Sequence, residues 1–131
     1  MEKQRNHPSP TRFWIWFNPI GRQAGGWAYI LHRITALGLT FYLYLHLVVL
    51  SLLSKGPDGY DQFLVLARSP IFIFGELLVV AAGFLHGLNG LRIALTTFGV
   101  SVTRQKQLFF GLMAIAVIAI LIFGIRMFTV E

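Results

Sequence analysis

The chain has 131 residues, 56% of them hydrophobic and 12% charged, where soluble domains carry about 25% charged residues. That composition excludes an ordinary soluble domain, and the total lack of cysteine excludes thiolate-held iron–sulfur clusters, catalytic thiols and disulfides within the chain. The net charge of +6 reads as a basic membrane rim rather than a nucleic-acid surface.

Residues 1–26 are expected to form a cytoplasmic or interfacial segment. The first eleven are polar, with Pro8 and Pro10 flanking Ser9. An aromatic cluster follows, Phe13, Trp14, Trp16 and Phe17, stopped by Pro19 and the glycines at 21, 25 and 26. Aromatic belts of this kind sit at headgroup level; contact with a soluble partner is the competing reading, and both stay open. Three apolar stretches then reach the roughly 20 residues that a bilayer crossing needs. They run over about 27–53, 71–98 and 108–128, so that 27–131 reads as one three-helix transmembrane domain. Between the first two, Gly56-Pro57-Asp58-Gly59 signals a turn, and residues 60–67 can form a short interfacial helix. The connection at 99–107 is short and makes the second and third spans antiparallel neighbours. The third span holds no ionisable residue before Arg126 and reads as a packing and lipid-facing helix.

The basic residues orient the chain. Lys3, Arg5, Arg12, Arg22, Arg104 and Lys106 fall on one side of the membrane. Lys55, Arg68 and Arg126 fall on the other, the first two partly balanced by Asp58 and Asp61. The preference of Lys and Arg for cytoplasmic loops predicts an all-α protein of the cell's inner (cytoplasmic) membrane. Its N-terminus is then inside and its C-terminus outside. The first apolar run does not read as a signal peptide: it starts too late, runs too long and lacks a small-residue cleavage pattern.

Histidines inside these spans carry the chemistry: His32 and His46 in the first, His86 in the second. Hydrocarbon rejects idle polar groups, so an intramembrane imidazole is a functional-site hypothesis by default. It is also a common axial ligand of haem iron. His32, Thr35, Tyr42 and His46 stand at offsets of 0, 3, 10 and 14, which fold onto one stripe at about 100° per residue. Such a stripe must face protein, cofactor or water. Interhelical hydrogen bonding explains any one of the four alone and fits all four together less well.

Around His86 stand Gly83, Gly87 and Gly90 on one helix face, with Asn89 and Arg92 beyond. The glycines either let helices approach closely or clear space for a flat porphyrin. Arg92 either meets a haem propionate or snorkels to the interface. At 1.5 Å per residue His46 lies about 28 Å from the inner start of its span, and His86 about 18 Å from the inner end of the next. The two are not expected to grip one iron, so each needs a partner histidine from another chain. His32 is placed nearer the inner surface, for propionate or quinone contacts.

The run Ile30-Leu31-His32-Arg33-Ile34-Thr35 resembles the S-x-x-H-R-x-[ST]-G signature of the cytochrome b membrane subunit of succinate dehydrogenase. His86-Gly87-Leu88-Asn89-Gly90-Leu91-Arg92 resembles the H-x-x-x-G-x-R of that family's second helix. Length, three spans and topology match as well, so the resemblance covers essentially the whole chain. It implies a subunit of complex II that anchors a flavoprotein and an iron–sulfur protein together with a second small membrane subunit. Electrons from succinate then reach a quinone near the inner surface. His86 would be a haem b axial ligand, Arg33 a quinone-site residue, and His32 and Arg92 neighbours of the propionates.

Tyr29 replaces the family's serine, where its hydroxyl can still donate to a quinone carbonyl. Ala36 replaces a glycine, and Thr97 an aspartate to which proton delivery is ascribed. His46 resembles the extra ligand of two-haem members. The expectation is therefore two haems b shared with the partner subunit, His86 and His46 each ligating one, with menaquinone the favoured quinone.

Three rivals remain at this level. A fumarate reductase anchor shares all these features, and a single-haem or haem-free anchor would use some or all of the histidines as interhelical glue. A transporter subunit would rely on Glu76, which a solvated interfacial position explains more simply.

Overall fold

The computed structural model describes Trp14, Phe17, Asn18, Ile20, Gly21 and residues 23–129. The extended reading of residues 1–11, the cations Lys3, Arg5, Arg12 and Arg22, and Phe13 and Trp16 lie outside the described residues. Four α-helices follow in chain order: α1 Ala24–Ser51, α2 Pro57–Ala67, α3 Pro70–Thr97 and α4 Gln105–Thr129. Short 3₁₀ turns, Leu52–Lys55 and Val102–Arg104, extend the end of α1 and lead into α4. Three continuous helical stretches, Ala24–Lys55, Pro70–Thr97 and Val102–Thr129, are long and apolar enough to cross a membrane. The chain is an all-α membrane protein with three such spans.

Each boundary has a local cause. Pro57 and Pro70 both occupy the first turn of their helices, where the missing amide hydrogen costs nothing and the fixed φ suits the helix. The four-residue turn signal at 56–59 is thus partly helical, and α2 starts at Pro57 instead of residue 60. Asp58 in its first turn complements the helix dipole. Gly59 sits close to Lys55, since a Cβ there would stand 3.1 Å from the Lys55 Cβ.

At the other end of α3 the chain turns at Gly99, with φ of 83°. Its amide donates to Thr96 O at 3.1 Å, and that of Val100 donates to Leu95 O at 2.9 Å. This is the Schellman pattern, which favours glycine at the left-handed position. Gly99→Ala is accordingly expected to cost about 1 kcal/mol; an unchanged thermal denaturation midpoint of the purified protein would contradict this.

α3 is the central helix. It packs against α4 on one side and α1 on the other, while α1 and α4 scarcely meet. Phe84 meets Phe123 with ring centroids 5.6 Å apart, and Gly124 of α4 admits Leu77, whose methyls would lie 3.4 and 3.5 Å from a Cβ there. α2 sits against the 3₁₀ turn after α1 and the start of α3, where Phe63 meets Phe72 edge-on.

Burial is inverted relative to a soluble domain. Large apolar side chains from Leu37 and Phe41 to Ile122 and Ile125 face outward, whereas Thr35, Asn89 and Arg92 are buried. Lipid dissolves the first group and cannot satisfy the second, so polar groups must find partners between helices.

Candidate functional site

The buried polar residues gather where α1 crosses α3, toward the N-terminal end of α1. Asn89 is fully buried and clamps the two helices: its Nδ2 donates to the Ala28 carbonyl of α1 at 2.8 Å. Arg92 Nε donates to Asn89 Oδ1 at 2.9 Å. The two residues are three apart, hence neighbours on one helix face. Arg92 also lies over the Phe109 ring of α4, 5.9 Å from its centroid. One short polar chain thus runs through α1, α3 and α4.

One turn before Asn89, His86 meets α1. Its Nδ1 lies 3.2 Å from Thr35 Oγ1 and 3.2 Å from the His32 carbonyl. A carbonyl can only accept, and the Thr35 hydroxyl already donates to Leu31 O at 2.7 Å. A hydrogen bond to the His32 carbonyl requires the proton on Nδ1, and that tautomer leaves the lone pair on Nε2. No hydrogen bond within the described residues engages Nε2. A carbonyl fixing one ring nitrogen so that the other is free is the arrangement that orients metal-ligating imidazoles.

His32 stacks on His86, with centroids 3.9 Å apart and planes 10° from parallel. Its own Nδ1 is buried without a hydrogen-bond partner. The sequence reading places His32 nearer the inner surface than His86; the structure puts the two face to face. Counting inward from assumed span ends ignores stagger and tilt, and α1 begins at Ala24, three residues before the expected start.

The three glycines divide. A Cβ on Gly90 would stand 3.6 Å from His32 Cε1, so that glycine serves the helix crossing. A Cβ on Gly83 or Gly87 would meet nothing within 4 Å. Both therefore leave open space on the flank of α3 beside His86.

The stripe on α1 also divides. His32 and Thr35 contact α3, while His46 and Tyr42 are exposed and stack on each other, centroids 5.7 Å apart. His46 stands fourteen residues beyond His32, about 21 Å along the helix. It and His86 occupy different levels. Tyr29 and Arg33 are exposed on α1, the guanidinium carbon 4.8 Å from the Tyr29 ring centroid. Glu76 is exposed near the start of α3.

The clamp by Asn89 and the pairing of His32 with His86 are what the sequence reading missed. The i, i+3, i+6 spacing of His86, Asn89 and Arg92 was the available signal, because it places three polar groups on the face turned toward α1.

Three membrane-crossing helices around a polar, histidine-centred crossing define a multi-span membrane subunit built to keep specific polar groups out of lipid. The chain belongs to the family described as succinate dehydrogenase/fumarate reductase transmembrane subunit, whose profile matches residues 10–125. It is 32% identical over 84 residues to the succinate dehydrogenase 2 membrane subunit SdhC of Mycobacterium tuberculosis, covering 64% of this chain and 62% of that protein. It is 33% identical over 89 residues to the succinate dehydrogenase hydrophobic membrane anchor subunit of Halobacterium salinarum, covering 67% and 68% respectively. The chain thus spans about two thirds of the length of these curated relatives.

Proposed function

We propose that this membrane anchor subunit binds haem b and passes electrons from an iron–sulfur subunit to membrane quinone within a succinate:quinone oxidoreductase. His86 is the observation that carries the reading: its tautomer is set by the His32 carbonyl, its Nε2 is uncommitted, and the glycine flank beside it is open. The His32 ring stacked on His86 holds that imidazole from one side, its own Nδ1 enclosed without a hydrogen-bond partner.

When bound, the haem supplies a one-electron carrier inside the membrane; the protein's share is to position and tune it. His86 would hold the haem iron through Nε2, and the Asn89 clamp keeps α1 and α3 in register around it. A histidine of the second membrane subunit would complete the iron's ligands. Tyr29 and Arg33, near the same end of α1, bind the quinone headgroup: the hydroxyl donates to a carbonyl, and the guanidinium above the ring supports it. A flavoprotein and the iron–sulfur protein complete the assembly at this end. The same anchor serves fumarate reduction when partner potentials reverse the flow.

His46 ligates a second haem nearer the other end of α1, an arrangement suited to menaquinone. His46→Ala should then reduce the haem count of the purified complex from two to one, measured by pyridine haemochrome, and leave the His86 haem in place. An unchanged count would return His46 to a packing role beside Tyr42.

A further inference from the structure

Arg92 does not point toward the open glycine flank. At 100° per residue it lies roughly 180° around α3 from Gly83 and 140° from Gly87. Its side chain lines a hollow of about 400 Å³ between the N-terminal ends of α1 and α4, with Gln23, Gly25, Gln105 and Lys106 on the walls and Phe109 on the floor. Only 9% of Arg92 is exposed. Its Nε is held by Asn89, and the two terminal guanidinium nitrogens have no hydrogen-bond partner among the described residues. No ion pair involves Arg92 or Lys106 among them either. The first-turn amides of α1 and α4 border the same hollow, and Gln23 supplies no side-chain cap to α1.

A second hollow of about 510 Å³ shares Ala24, Lys106 and Phe109 with the first and continues past Trp27, Leu31 and Phe110. Its walls are almost wholly apolar. Together they make a two-part cleft: a cationic end carrying Arg92 and Lys106, and an apolar trough running along the membrane-crossing helices. Both volumes are in the range of small-molecule sites.

We propose that this cleft binds an anionic phospholipid, its phosphate on Arg92 and Lys106 and an acyl chain in the trough by Trp27, Leu31 and Phe110. A neutral amphiphile would fill the trough but leave the Arg92 and Lys106 cations without an anionic partner. A lone phosphate would satisfy the cations and leave the trough empty. Charge and shape together select a lipid with a net negative head.

The test uses the intact complex, in nanodiscs of equal parts phosphatidylglycerol and phosphatidylcholine, released into detergent and examined by native mass spectrometry. Wild type should retain phosphatidylglycerol in clear preference to phosphatidylcholine. Lys106→Glu should cut that retention about tenfold, as reversal of a charge at a lipid headgroup predicts. Gln105→Glu, also on an exposed residue, should lower it in the same direction. Haem content should be unchanged in both, which separates this site from the one at His86. Equal retention of the two lipids, retention indifferent to Lys106→Glu, or displacement of the lipid by inorganic phosphate alone would each overturn the proposal.

Discussion

Replacing His86 with alanine is expected to remove one b haem from the complex while leaving the three helices inserted. The expectation rests on what the side chain does and does not hold together. Its Nδ1 makes 3.2 Å contacts with Thr35 and the His32 carbonyl, and interhelical hydrogen bonds of this sort average only about 0.6 kcal/mol in membranes. The α1–α3 crossing retains Asn89 and the apolar contacts, so loss of His86 should not unfold it. A lost iron ligand has no such substitute, because alanine offers no lone pair where the His86 imidazole stood. The check is the reduced-minus-oxidised haem spectrum of the purified complex against its subunit content.

Gly87→Leu offers a second route to the same loss. A Cβ there would meet nothing within 4 Å, so the new side chain starts into open space, which a porphyrin lying on the flank would need. A His86→Ala complex with full haem content would show that His86 is only a packing residue.

The second large effect is expected at Asn89. Two opposing magnitudes bear on it. An average intramembrane hydrogen bond contributes little, but leaving a buried partner unsatisfied costs about 1–3 kcal/mol per group. Asn89→Leu leaves one such group, Arg92 Nε, and strips the Ala28 carbonyl of its interhelical bond while its bond within α1 remains. The second magnitude wins, and a loss of about 1–3 kcal/mol is expected. It should appear as a lower midpoint in thermal or detergent denaturation of the purified complex, with reduced haem occupancy as α1 loses register against α3. A midpoint like that of wild type would mean that the clamp contributes nothing.

The three spans were legible because hydrocarbon thickness converts directly into a length of apolar sequence. Their helix ends shifted by up to three residues, at Ala24 and Gln105, while the ends of α3 beside Pro70 and Gly99 moved by one. His86 stood out because an imidazole in a span is rare. That His32 stacks on it was not legible, because the register between two helices is set by a crossing that one-dimensional spacing does not encode. Gly90 shows the reason: it is where α3 lets His32 in, yet by sequence alone it was indistinguishable from Gly83 and Gly87, which leave space. For Arg92 the sequence left a propionate contact and snorkelling both open, and the hollow it lines is legible only once α4 brings Gln105, Lys106 and Phe109 beside it.

The measurement closest to the central claim is haem content of a His86→Gly complex with and without added imidazole. If His86 serves by presenting a lone pair at Nε2, the variant should lack one haem by pyridine haemochrome and regain it when imidazole fills the vacated position. Full haem content in His86→Gly without imidazole would contradict ligation by His86 and place the ligand elsewhere in the complex.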